Sequence, residues 1–233
     1  MRFCGAFALL AIAVTAVIGP SPARADETVS TGGSRAVLLK PAAPRASVVL
    51  MPGGDGQIAA GPGGSIGRLK GNQLVRTRKA YEAHGLAVLV VDADVNLKAA
   101  VDYMRAIKGP VTVVGTSRGT LRAAEGIAAG AHPDALVLTS GFLSAESGSG
   151  QNVMGILGSP SRLPRTLVIH HRQDGCRVTQ PAGVEPFIKW SAGRARVVWV
   201  DGGSDSGNPC QARGHHGFAG LDGKVVGLAA GFR

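Results

Sequence analysis

A serine set between two glycines carries the most chemistry in this sequence: Gly115-Thr116-Ser117-Arg118-Gly119. The apolar run Val111-Thr112-Val113-Val114 precedes it, and a helix-forming stretch from Arg118 to Ala129 follows. In that context the Gly-x-Ser-x-Gly spacing predicts a tight strand-to-helix bend with the hydroxyl presented at its tip. The helix start then leaves unpaired N–H groups beside the hydroxyl, where a negative charge can develop. A hydroxyl needs a base to remove its proton, and the base needs an acid to orient it. His216, within Gly214-His215-His216-Gly217-Phe218, is the candidate base, and its neighbour His215 is the alternative. Asp174, within His171-Arg172-Gln173-Asp174-Gly175-Cys176, is the candidate acid, with Asp201 and Asp205 as fallbacks.

Two backbone N–H groups are expected to hold the oxyanion. One belongs to Arg118, and the other to Gly54 or Gly53 in Met51-Pro52-Gly53-Gly54-Asp55-Gly56, where glycine allows close approach. The Arg118 side chain has two readings: a grip on a substrate carboxylate or phosphate, or an ion pair with Glu125 or a loop acid. His84, His132, His170 and His171 are expected at the surface or at strand ends. Neighbouring strand residues such as His170 and His171 face opposite sides, which argues against a shared metal.

The elements that must position these residues are legible as alternating runs. Ala36–Leu39, Ser47–Met51, Leu86–Val91, Val111–Val114, Ala135–Leu138, Thr166–Ile169 and Val197–Val200 are short, apolar and rich in β-branched residues, as strands covered on both faces are. Between them, Leu97, Val101, Met104 and Ile107 share one helical face behind a cap at Asn96. An earlier helix carries Leu74 and Tyr81 and closes at His84-Gly85. A last helix is expected from Gly217 to Phe232. This order predicts an α/β fold with a doubly wound, mainly parallel sheet. Residues 26–34 are polar and are expected to fray. Two long loops remain, Pro52 to about Arg68 and Thr139 to Pro164; the second is a candidate mobile lid.

Arg2, the apolar run Ala6 to Ile18, the breakers Gly19, Pro20 and Pro22, and Ala23-Arg24-Ala25 follow the order of a secretory signal peptide cleaved after Ala25. The run falls short of the roughly 20 residues a membrane span needs. Residues 26–233 are then enough for one domain. Export of such a chain places it in the periplasm or outside the cell. Formal net charge falls from +10 to +8, because Arg2 and Arg24 leave and no acid does. Basic residues do not interleave with aromatics, which are 4% of the chain, so nucleic acid is not an expected partner. Cys4 leaves with the signal, and the remaining pair, Cys176 and Cys210, is expected to form a disulfide in an oxidising compartment. Such a bond would tie the loop of Asp174 to that of His216.

Taken in chain order, Pro52-Gly53-Gly54, Val90-Val91-Asp92-Ala93, Gly115 to Thr120, His171 to Cys176 and His216-Gly217-Phe218 resemble the α/β-hydrolase superfamily. The narrower likeness is to small exported bacterial members without a large cap. The resemblance implies an eight-stranded sheet, a nucleophile–acid–base order of Ser117, Asp174 and His216, and no metal or organic cofactor. It further implies hydrolysis of an ester, thioester or similar acyl bond; the expected partner is a small or oligomeric ester, anionic if the Arg118 side chain reads charge. The chain departs from the pattern after Asp92, where a helix follows almost at once. Two other readings exist. Gly54-Asp55-Gly56-Gln57-Ile58-Ala59 fits a dinucleotide fingerprint, but Gly61-Pro62-Gly63-Gly64 interrupts the helix that must follow. A hydrolase fold can also be catalytically silent and serve as a binding protein in the cell envelope.

Overall fold

The computed structural model describes Met1 and residues 25–232, so the signal-peptide reading lies outside the described residues apart from its two ends. Among the described residues, five strands lead into a strand–helix succession that totals ten strands and six α-helices. The strands are β1 (Glu27–Thr31), β2 (Ser34–Leu39), β3 (Ala46–Met51), β4 (Ala60–Gly61), β5 (Ser65–Ile66), β6 (Leu86–Val91), β7 (Val111–Thr116), β8 (Ala135–Thr139), β9 (Thr166–His171) and β10 (Ala195–Val200). The helices are α1 (Gln73–Ala83), α2 (Leu97–Ile107), α3 (Gly119–Ala128), α4 (Val153–Leu157), α5 (Val184–Trp190) and α6 (Asp222–Gly231).

Eight strands form one sheet in the order β1-β2-β6-β3-β7-β8-β9-β10. The β1-β2 and β2-β6 pairings are antiparallel and the others are parallel. Period-2 alternation sends each strand's side chains to two separate cores. Val49 and Met51 of β3 pack with α2, α3 and the shorter α4 and α5, whereas Val48 and Leu50 pack with α1 and α6. Parallel strands need helical crossovers on both faces, which is why β6 to β9 read as unbroken apolar runs. Asn72 and Asn96 cap α1 and α2, their side-chain oxygens accepting the N–H groups of Leu74 at 3.1 Å and Ala99 at 3.0 Å.

Three expectations are corrected. The polar stretch after Ala25 does not fray: Glu27–Thr31 adds to the sheet edge, pairing residue for residue from Glu27 with Leu38 to Thr31 with Ser34. An edge strand needs only one apolar face, so its sequence lacks a hydrophobic run. The last helix begins at Asp222 rather than Gly217, because His215–Gly217 forms its own 3-10 turn, capped by Phe218 at a φ of 55°. The segment from Thr139 to Pro164 is not an open surface loop. It contains α4, and Leu143, Val153, Leu157 and Leu163 lie in the core.

Candidate active site

Ser117 stands where β7 meets α3, at a φ of 52°. A left-handed conformation at a non-glycine residue is strained, and such strain concentrates at functional positions. The neighbouring glycines are required by close approach. A Cβ on Gly119 would lie 2.0 Å from the Met51 carbonyl oxygen, and one on Gly53 would lie 2.9 Å from Ser117 Cβ. The loop after β3 is thereby pressed against the serine.

His216 is buried across the same small cavity, which Ser117, Gly53, Gly54, Asn72 and Gln73 also line. Its Nδ1 is 3.0 Å from Asp174 Oδ2, and this pair is enclosed. Asp174 is held from behind, since its Oδ1 accepts the Cys176 N–H at 2.9 Å. Thr179 completes the cluster: its hydroxyl donates to Asp174 Oδ2 at 3.2 Å and lies 3.0 Å from His216 Nδ1. With carboxylate and hydroxyl oxygens both facing Nδ1, the proton belongs on Nδ1, and Nε2 carries the free lone pair. Ser140, whose hydroxyl donates to the His216 carbonyl at 2.8 Å, fixes the backbone of the turn.

His215 is occupied elsewhere. Its ring stacks on that of His171 with centroids 4.1 Å apart, and its Nδ1 donates to the Gln173 carbonyl at 3.2 Å. Asp205 lies 3.8 Å from the same nitrogen, and Asp201 pairs with Arg172 at 3.5 Å, so both fallback acids are committed away from His216. Of the four remaining histidines, His84 and His132 are exposed. His170 and His171 end β9 and are buried, His171 donating through Nε2 to the Gly202 carbonyl at 3.0 Å while its Nδ1 accepts the Gln173 N–H at 3.0 Å. His170 has no hydrogen-bond partner on either ring nitrogen among the described residues. Burial lowers its pKa to about 4, against the opposing pull of Asp174. A neutral imidazole therefore backs the acid. Among the described residues no cluster of histidine, cysteine and acidic side chains is arranged to hold a metal ion.

The N–H groups of Gly53, Gly54 and Arg118 donate to no group among the described residues. Arg122, one turn into α3, braces the loop that carries the two glycines. Its guanidinium donates to the Pro52 carbonyl and, at 3.3 Å, to the Gly54 carbonyl. Burial and the nearby Arg118 charge lower its pKa. Asp92 anchors the far side of that loop, accepting the Ile58 N–H and, at 3.2 Å, the Ala59 N–H. The expected ion pair between Arg118 and Glu125 is absent among the described residues; Glu125 instead accepts from Gln151 at 3.1 Å, and Arg118 is exposed. Cys176 and Cys210 are joined, with Cα atoms 4.5 Å apart, linking the acid loop to the segment before His216.

Thr179, Arg122 and Ser140 are the positioning groups that sequence reasoning missed. Each acts across the fold, and only Thr179 had a local clue, five residues beyond Asp174 in the same loop.

No protein-family model matches the sequence, and no curated protein does. Solved structures do. The esterase domain of a Rhodothermus marinus protein superposes with a TM-score of 0.60 at 15% identity, over 89% of this chain and 99% of that one. A dienelactone hydrolase from Anabaena variabilis gives 0.56 at 15%, over 89% and 96%. Carboxyl esterase 2 from the fungus Tuber melanosporum gives 0.57 at 16%, over 93% and 87%. The chain has the α/β-hydrolase fold. The turn after β7 and the loops after β9 and β10 all leave the carboxyl edge of the sheet. Ser117, Asp174 and His216 occupy those three positions. No helix among the described residues is long and apolar enough to cross a membrane.

Proposed function

We propose that this protein is an exported serine hydrolase that cleaves a carboxylic ester through an acyl-enzyme. The observation that carries the reading is the placement of Ser117 and His216 on one cavity, with His216 Nδ1 on Asp174 Oδ2 at 3.0 Å. In the proposed reaction Ser117 Oγ attacks the ester carbonyl carbon as His216 Nε2 takes the hydroxyl proton. The oxyanion rests on the N–H groups of Arg118 and of Gly54 or Gly53, free donors at the right loops. As the carbon–oxygen bond to the alcohol breaks, His216 returns the proton to the leaving oxygen. Water, deprotonated by the same nitrogen, then adds to the acyl carbon and releases the acid and Ser117. Asp174 keeps the imidazole in the Nδ1–H tautomer and stabilises its cationic form. Arg118, exposed beside the nucleophile and with no ion pair among the described residues, is free to attract an anionic substituent. A disulfide is compatible with the oxidising compartments that an exported chain reaches.

Labelling with a fluorophosphonate tests the proposal. The wild-type protein should be modified at Ser117, and Ser117→Ala should be neither modified nor active on 4-nitrophenyl acetate. Absence of labelling on folded, disulfide-bonded protein would favour a silent binding module instead.

A further inference from the structure

Ser117 lines one of two neighbouring compartments of very different size. The cavity that Ser117 shares with His216 has a volume of about 50 Å³. A cavity of about 150 Å³ accommodates benzene, with six carbons. One third of that volume suits two or three heavy atoms. The walls cannot retreat easily. Gly53 already touches the nucleophile, Cys210 is tethered through its disulfide, and Asn72 caps α1.

Beside it lies an open groove of about 560 Å³, within the usual range for small-molecule sites. The two compartments meet at Ala212, which lines both. Arg76, Ser204, Ser206, Gln211, Arg213 and Asp222 line the groove, and no aromatic or large aliphatic residue does. Its floor is fixed, because Arg76 reaches from α1 to Asp222 in two bonds of 2.7 and 2.9 Å and to the Gly217 carbonyl at 2.8 Å. That bidentate pair neutralises itself and leaves hydroxyl, amide and backbone groups, with the exposed Arg213 guanidinium, to face a ligand.

Resting on the serine-hydrolase reading above, we infer that the substrate is an acetyl ester of a hydroxyl-rich, carbohydrate-like alcohol. The acetyl group occupies the small cavity, and the alcohol lies in the groove. A long acyl chain has neither the volume beside Ser117 nor apolar walls to bury against. A polyol finds donors and acceptors along the groove, as its own hydroxyls require once they leave water. Attack of Ser117 then yields acetyl-serine and the free alcohol, and water releases acetate.

An acyl-length series with a groove-filling variant tests this. With wild-type enzyme, 4-nitrophenyl acetate should turn over with a kcat/KM at least tenfold above the butyrate and a hundredfold above the octanoate. The exposed Gln211 makes no side-chain hydrogen bond among the described residues, so Gln211→Trp can fill the groove without disturbing the fold. It should lower kcat/KM for a peracetylated disaccharide at least tenfold further than for 4-nitrophenyl acetate, whose single ring fills less of the groove. Butyrate or octanoate hydrolysed as fast as acetate would overturn the acyl assignment. Equal effects of Gln211→Trp on both acetates, or none on either, would overturn the groove assignment. Ser117→Ala that retained full activity would instead remove the underlying hydrolase reading.

Discussion

The bond between Cys176 and Cys210 offers the sharpest quantitative test of how this site is held together. It closes a loop with a sequence separation of 34 residues. In the chain-entropy treatment a loop of that length restricts the unfolded ensemble by about 4 kcal/mol. For a domain of this size each kcal/mol moves the melting midpoint by roughly 2–4 °C, so removing the bond should lower Tm by roughly 8–15 °C. The functional consequence follows from what the bond joins. Cys176 donates its N–H to Asp174, and Cys210 borders the cavity that holds His216. The bond thus ties the acid's loop to the base's segment, across the turns of residues 201–214, where only Gly214 is fully buried and Ala212 half-buried. Misplacement of a catalytic group by about 1 Å can cost on the order of a hundredfold in rate. The double variant Cys176→Ala/Cys210→Ala, measured at 20 °C where it remains folded, should therefore lose at least about tenfold in kcat on 4-nitrophenyl acetate. Calorimetry of oxidised parent, reduced parent and double variant gives the stability half of the test, and reduction keeps both sulfurs in place. A full Tm loss with unchanged kcat would refute the registering role. An unchanged Tm would refute the loop-closure account itself.

Two further expectations concern single side chains. Thr179→Val keeps the shape but removes the hydroxyl between Asp174 and His216; a hydrogen bond to a charged group contributes about 1.5–3 kcal/mol, so kcat should fall roughly 10- to 150-fold with little change in KM. A loss confined to KM would return Thr179 to a packing role. Arg118→Ala should depress kcat/KM for an ester bearing a carboxylate more than for its neutral analogue, as salt titration of both rates would show; equal losses would mean that the guanidinium reads no charge.

What could be read from the sequence, and what could not, divides by the range of the interactions. All seven apolar runs lie in the sheet; six belong to strands buried on both faces, which must be apolar along their length, while the run in the edge strand β10 is only half-buried. The bend at Ser117 was legible for the same local reason, since glycines must stand where a Cβ would strike Met51 or Thr120. The edge strand Glu27–Thr31 was hidden by its polarity, and α5 was hidden by its brevity and by Pro186. Thr179, Arg122 and Ser140 were illegible for a deeper reason. Each is an ordinary polar residue whose partner is fixed only when separate loops arrive at the sheet's carboxyl edge. Arg122 shows this best: it is 70 residues from Pro52, and nothing in either neighbourhood announces the other. Yet the loop it braces has Gly54 and Gly56 at positive φ, and such a loop would not hold the proposed glycine N–H donor in a fixed place unaided. The sequence pattern thus specifies the proposed reacting groups, while the precision of their placement resides in long-range polar contacts that only the folded chain creates.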